Sequence, residues 1–293
     1  MYIFLKSLFF ILAILPIRLK LILAKVIGFI ISALPIKENK IAALQLKKFL
    51  KVQNPKIIVR KMWQNIAENF LLFSNLNPIL DNVEKTIAVD KPDLFFNLVN
   101  TRIPTIALTA HTGNWDLLAG YAAVYTDRLV SIGRPIRNKH LQDLLNKLRL
   151  KYKIKTNWRS NVKDSKDIIK SLENGNVIGV LIDQDTKVKS IFSEFCGTLC
   201  KTPFSIIDLG KKYNSSFISA FIFKTGTLKY KIFLSEIDNT LSNQEIIDIY
   251  HRNFEELIKE YPEQWVWFHK RWRTRPETGT MSSKEYLQYL TNV

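Results

Sequence analysis

The chain is poor in the residues that staple small folds or hold metals. Of its 293 residues only Cys196 and Cys200 are cysteine, and four are histidine. Two thiols exclude a disulfide framework, and the scattered histidines show no recognisable zinc spacing. Both thiols read as small buried apolar side chains without chemistry of their own, in a reducing environment. Acidic residues are also scarce. Twenty-six Asp and Glu against 43 Lys and Arg leave a net charge of +17 and a pI near 9.7, a balance that attracts nucleic acid, anionic lipid or an acidic protein. Gly-Ser linkers, internal repeats and low-complexity tracts are absent. With 47% hydrophobic residues, the chain is instead expected to bury a sizeable core.

Apolar runs of membrane-spanning length are missing as well. Leu8 to Ile17 is uninterrupted between Lys6 and Arg18, and a second apolar stretch covers Val26 to Ile36. Each is about half of the roughly 20 residues that a spanning helix needs, and Arg18, Lys20 and Lys25 lie between them. No small-residue cleavage site follows Leu15, so removal as a signal peptide is not expected. The segment reads as a membrane-embedded or interfacial helix pair bent at Pro16, with its cations facing anionic headgroups. Packing on a soluble body and a tilted single span are the alternatives. Residues 1–36 are therefore read as a membrane anchor or interfacial helix and residues 37–293 as the main domain, held on the cytoplasmic side.

The body opens with helix-spaced apolar residues from Asn39 to Phe73. Strands and helices then alternate. Strands are expected at Thr105 to Ala110, Leu129 to Ile132, Val177 to Ile182, Phe217 to Phe223 and Lys229 to Leu234. Helices are expected at Asp116 to Tyr125, Lys139 to Leu150, Ser165 to Asn174, Thr202 to Lys212 and Ser242 to Glu260. This order predicts an α/β fold, a central sheet layered by helices.

The segment Thr109-Ala110-His111-Thr112-Gly113-Asn114-Trp115-Asp116 follows a buried strand and precedes a helix, where ligands gather in open α/β sheets. An imidazole there can take a proton from a hydroxyl, and a carboxylate can fix its tautomer. Asp116 is the carboxylate expected beside His111. On a continuous helix the two would be turned roughly 140° apart, so Gly113 and Asn114 are expected to form a turn that brings them together. A capping role for Asp116 is the bland alternative. With no suitable Ser or Cys beside the motif, direct transfer is preferred to a covalent intermediate.

His111-x4-Asp116 is the signature of the glycerolipid-type acyltransferase superfamily. Three further blocks agree with one branch of it: Gly133 to Asn138, Leu181 to Asp185, and Pro262 to Pro276 with its interleaved Trp and Arg. From about Lys40 to Pro276 the chain resembles the late acyltransferases of lipid A biosynthesis, which add lauroyl or myristoyl chains to a Kdo-bearing precursor. That resemblance implies a glycerolipid acyltransferase-like fold with a central mixed sheet, and His111 and Asp116 as the catalytic pair. It points to Arg134 and Asp183 as further functional positions, with Asn114 and Arg271 completing the expected substrate contacts. Arg134 is suited to a phosphate or an oxyanion, and Asp183 to orienting Arg134 or a substrate hydroxyl. Arg271 sits in a block that suits either a headgroup-binding edge or core packing by its Trp residues.

The resemblance further implies an acyl carrier protein thioester as donor, a lipid A precursor as acceptor, an anionic bilayer at the cell inner membrane, and no metal or organic cofactor. Acylation of another glycolipid or a lysophospholipid is the nearest alternative, although the Phe-Pro-Glu-Gly-Thr block of the glycerol-phosphate enzymes is absent. A nucleic-acid-binding protein would fit the charge, but it leaves the apolar first 36 residues unexplained and shows no matching signature, so no nucleic acid is expected. An inactive scaffold is disfavoured by the presence of both His111 and Asp116.

Overall fold

The computed structural model describes residues 2–159 and 162–292. The apolar N-terminal segment forms α1 (Tyr2–Ile14) and α2 (Ile17–Ala33), separated at Pro16, whose fixed φ and missing N–H suit a helix boundary. Met1, part of the expected anchor, lies outside the described residues. The helical stretch from Asn39 to Phe73 is two helices, α3 (Lys37–Leu50) and α4 (Pro55–Phe73). Lys51 ends the first in the left-handed conformation and Pro55 opens the second.

The chain continues through α5 (Asn77–Leu80), α6 (Val83–Thr86), β1 (Ile87–Val89), α7 (Pro92–Asn100), β2 (Thr105–Thr109) and α8 (Trp115–Tyr125). There follow β3 (Leu129–Gly133), α9 (Lys139–Lys151), β4 (Lys155–Trp158), α10 (Val162–Glu173) and β5 (Val177–Leu181). A hairpin of β6 (Ser190–Phe195) and β7 (Thr198–Pro203) leads to α11 (Ser205–Lys212), β8 (Ser216–Gly226), β9 (Lys229–Ile237) and α12 (Asn243–Glu260). A 3-10 turn at Pro262–Gln264, the ribbon β10 (Thr274–Arg275) and β11 (Gly279–Thr280), and α13 (Ser283–Thr291) complete it. Thr202, expected to begin a helix, lies instead in β7. The turn before that strand is Cys196-Gly197, both at positive φ, which matches the right-handed twist of a two-residue hairpin.

The main sheet has the order β1-β9-β8-β2-β5-β3-β4 and is mixed, with β8 and β9 antiparallel and every other neighbouring pair parallel. Alternation along the strands sends Ile106, Leu108, Ile178 and Val180 to one face. There they pack with α3, α10, α11 and α12 and with the tryptophans of the C-terminal block. Val177, Ile218, Ile222 and Ile232 face the other side and pack with α5, α7 and α8.

Among the described residues no single helix is long and apolar enough to cross a membrane; α2 and α3 pass that test only as a pair, and they are bent by 88°. On α2 the residues Lys20, Ala24 and Gly28 recur every fourth position and form the buried stripe. Gly28 lies directly against the α4 backbone at Gln64, where a Cβ would not fit. The Lys20 ammonium donates to Ser74 Oγ at 3.0 Å, and burial and the nearby Lys151 lower its pKa. Phe10, Ile14, Ile22, Phe29 and Ile30 are left exposed on the outer side of α1 and α2.

Candidate active site

The site forms where β2 and β5 end side by side. Their parallel register places Thr109 opposite Leu181, so His111 and Asp183, each two residues further on, emerge together from the C-terminal edge of the sheet. His111 Nδ1 lies 2.8 Å from Asp183 Oδ1, and the His111 backbone N–H donates to Asp183 Oδ2 at 3.0 Å. The Trp265 indole donates to that same Oδ2 at 2.8 Å. Asp183 is 0% exposed. Burial alone would raise its pKa, but the His111 imidazole and the three donated hydrogen bonds outweigh it and hold the carboxyl well below the usual carboxylate range. An ionised Asp183 accepts the Nδ1 proton, which leaves Nε2 as the free base nitrogen.

The loop carrying His111 is clamped on several sides. Gly113 adopts φ +47 and lies so close to the Ile222 carbonyl that an added Cβ would collide with it. The Gly113 N–H donates to the Gln264 carbonyl at 2.8 Å, and Asn69 Nδ2 donates to the Gly113 carbonyl. Thr112 forms an isolated antiparallel bridge with Trp265. Gln264 is fixed in turn, because its side chain accepts from the Lys224 N–H at 2.7 Å and donates to the Lys224 carbonyl at 2.8 Å. The segment at Gln264 and Trp265 thus braces the His111 loop and, through the indole, its carboxylate partner.

Asp116 does not pair with His111. The turn at Gly113 and Asn114 is present, but Asn114 is the N-cap of α8, its Oδ1 accepting from Leu117 N–H at 3.0 Å. Asp116 then lies in the first turn of the helix and is directed to α9, where Arg149 Nε and Nη2 donate to its Oδ1 at 3.0 and 2.8 Å. The partner of His111 is Asp183. That carboxylate is correspondingly not at Arg134, which stands exposed just beyond β3.

Two more expected substrate contacts prove to be interior. Asn114 is buried at 1% exposure, its amide nitrogen unpartnered among the described residues. Arg271 is also 1% exposed; its guanidinium donates to the Lys201 carbonyl at 2.7 Å, Thr202 Oγ1 at 2.6 Å and His251 Nε2 at 2.9 Å. It ties the C-terminal block to β7. Trp265, Trp267 and Trp272 are buried as well, so this block is core and not a headgroup-binding edge.

Two apolar spaces meet at Trp115 and Asp116. One, of about 100 Å³, lies between the sheet and α7 and α8, and Thr109, Leu181 and Arg149 line its upper end. The other, of about 240 Å³, lies between α1, α4 and α9 and is bordered by Phe9, Phe70, Phe73, Leu141 and Leu145. The His111 ring stands edge-on to Trp115 with centroids 5.2 Å apart. An imidazole with one free nitrogen, its buried carboxylate partner and two apolar spaces at the end of an α/β sheet make a site suited to chemistry on apolar substrates. Residues 2–274 match the family model of the bacterial lipid A biosynthesis acyltransferases, and the chain belongs to that family. It is therefore an acyltransferase. No curated individual protein matches the sequence.

Proposed function

We propose that this acyltransferase moves a fatty acyl chain from an acyl carrier protein thioester to a hydroxyl of a lipid A precursor, with His111 as the general base. The observation that carries the mechanism is the bond from His111 Nδ1 to buried Asp183, which leaves Nε2 free to accept a proton beside Trp115. Nε2 takes the acceptor hydroxyl proton as that oxygen attacks the thioester carbonyl. The carbon–sulfur bond then breaks, and the imidazolium returns the proton to the departing thiolate, so ester and thiol are the products. Asp183 remains ionised and steadies the imidazolium in between.

Asp116 acts through Arg149, holding that cation beside the reacting groups, while exposed Arg134 is available to an acceptor phosphate. The chain's net charge of +17 suits an acidic carrier protein. The exposed apolar side of α1 and α2, with Arg18 and Lys25 beside it, suits the surface of an anionic bilayer at the inner membrane, on its cytoplasmic side. Residues 1–36 act as the interfacial anchor and residues 37–293 as the acyltransferase domain.

The test is transfer of a labelled acyl chain from acyl carrier protein to a Kdo-bearing lipid A precursor in detergent-solubilised membranes. Wild type is expected to label the lipid, and His111→Ala to fall to background while still sedimenting with anionic vesicles. Normal transfer by His111→Ala would overturn the mechanism, and labelling of a different glycolipid alone would reassign the acceptor.

A further inference from the structure

Gly179, in the middle of β5, has no structural reason to be glycine. Its φ is not positive, and the register of β5 with β2 and β3 runs unbroken through it, so neither a bend nor a bulge requires it. No close contact requires it either. A Cβ built at Gly179 would meet nothing within 4 Å, whereas one at Gly120 or Gly210 would press on neighbouring side chains. Glycine weakens a strand interior, and where backbone and packing leave it unexplained, close approach of a ligand is the remaining physical reason.

The space left open at Gly179 belongs to the apolar cavity beneath Trp115 and Asp116. Register sets Ser131, Gly179 and Ala107 side by side on three adjacent strands, so the floor of that cavity dips where side chains are shortest. Ala119 and Ala122 of α8 also line it. The upper end lies at Thr109, Leu181 and Arg149, beside the reacting groups, and the lower end is closed by Leu98, Val99, Leu129 and Val177. That lower end is tied shut, because Arg128 donates to the carbonyls of Val99 and Gly175 at the sheet's opposite edge.

We infer that this slot takes the donor's acyl chain and that Gly179 determines which chain length is accepted. The inference rests on the acyl-transfer reading above and adds a residue that selects the chain. The five residues from Leu181 to Val177, four steps of about 3.3 Å each, span about 13 Å. An extended chain advances about 1.2 Å per bond, so the slot passes about eleven bonds, and Gly179 stands about five bonds below its upper end. A side chain at 179 halts a long chain halfway and leaves a short one untouched.

The experiment compares hexanoyl, lauroyl, myristoyl and palmitoyl thioesters of acyl carrier protein with the full-length protein, reading both labelled lipid and released thiol. Gly179→Leu is expected to lower the ratio of myristoyl to hexanoyl turnover at least ~10-fold, and Gly179→Ala to lower it less, in line with what one or two methylenes do to discrimination in an apolar pocket. Leu98→Ala, which opens the lower end, is expected to move the preference toward longer chains. Because the readout is a ratio, partial loss of folded protein does not mimic it. An unchanged ratio in Gly179→Leu, with transfer intact, overturns the inference and leaves the acyl-transfer reading standing. Thiol release that follows the predicted ratios without labelling of the lipid A precursor supports the slot and overturns the acceptor instead. Absence of thiol release by wild type with every donor overturns both.

Discussion

Beside the His111 loop the two faces of the central sheet are filled differently, although further along the first face a space of about 240 Å³ lies among Ile132, Ile168, Val180 and Leu209. On one, Phe195, Phe254, Trp265 and Trp272 stack or meet edge to face at centroid distances of 5.1 to 6.1 Å, and Gly210 is pressed between Phe217 and Ile106. On the other, Ala107, Gly179, Ala119 and Ala122 leave an apolar space open. Both faces are apolar, so hydropathy does not separate them; side-chain volume does. The filled face holds Trp265, and through it Asp183 and the His111 loop. The open face has room for a ligand. Packing to crystal-like density rigidifies a base, and the same density beside it would exclude the substrate.

The largest effect that separates holding from accommodating is expected at Asp183. In Asp183→Asn an amide N–H confronts His111 Nδ1, the proton moves to Nε2, and the imidazole can no longer take one from a hydroxyl. Transfer should fall by about 10²- to 10⁴-fold, the range general-base catalysis supplies. Asp116→Asn keeps an oxygen for Arg149 and leaves the Asp183 bond untouched, so its loss should be smaller. Equal losses in the two variants, measured as single-turnover rates, would show that the His111–Asp183 bond does not set the base.

This ranking of the two carboxylates also marks the limit of sequence reading. His111 is legible because a buried strand, a turn and a helix follow one another in the chain. Asp183 is its partner for a reason that spacing does not encode: β2 and β5 are adjacent and parallel, 72 residues apart at this pair, and their register decides the contact. The strands β2, β3, β5, β8 and β9 are evident from apolar runs of the right length. The hairpin of β6 and β7 is not, since its turn is a single Cys-Gly pair and the amphipathic pattern of α11 extends back into β7. The C-terminal block is ambiguous because alternating Trp and Arg fits a membrane edge and a core equally. Burial of Arg271 is resolved only by the carbonyl, hydroxyl and imidazole acceptors that β7 and α12 supply.

On the filled face, one methyl group should be costly. A Cβ at Gly210 would sit 2.8 Å from Phe217 Cζ and 2.9 Å from Ile106 Cγ1, both interior atoms. Gly210→Ala should cost about 1–3 kcal/mol by overpacking, less the roughly 1 kcal/mol that alanine returns in a helix interior, for a net loss of up to about 2 kcal/mol. A urea midpoint equal to that of wild type would mean that this face is looser than its ring distances imply.

The filled face also carries a pH dependence. His251 receives a hydrogen bond from Arg271 at Nε2 and lies 3.0 Å from the Glu194 carbonyl at Nδ1, so it is held neutral. Burial, and then the Arg271 charge, push its pKa well below 6.5; burial is also the main cause that takes His269 down to about 4. Well above pH 6.5 neither group is protonated in either state, and neither contributes. As pH falls below 6.5 the unfolded chain takes up protons that the folded chain refuses, so stability declines until the folded values are reached. Each histidine should add about 1.4 kcal/mol per pH unit to that slope within its window. His251→Gln should reduce the slope of unfolding free energy against pH by about one proton, whatever it does to absolute stability. An unchanged slope would show that His251 titrates normally in the folded protein.

The smallest effect belongs to the open face. Gly179→Ala adds the same methyl group as Gly210→Ala, yet it meets no atom within 4 Å. It also removes the freedom that glycine has in the unfolded chain, which favours alanine by about 0.4–1 kcal/mol where the native φ suits it. Unfolding stability should therefore stay level or rise slightly, while Gly210→Ala loses stability in the same assay. The contrast does not depend on the substrate, since no acyl chain is present in the measurement. A loss at Gly179 equal to that at Gly210 would mean that the α7–α8 layer closes onto the sheet in solution, and the asymmetry between the two faces would disappear with it.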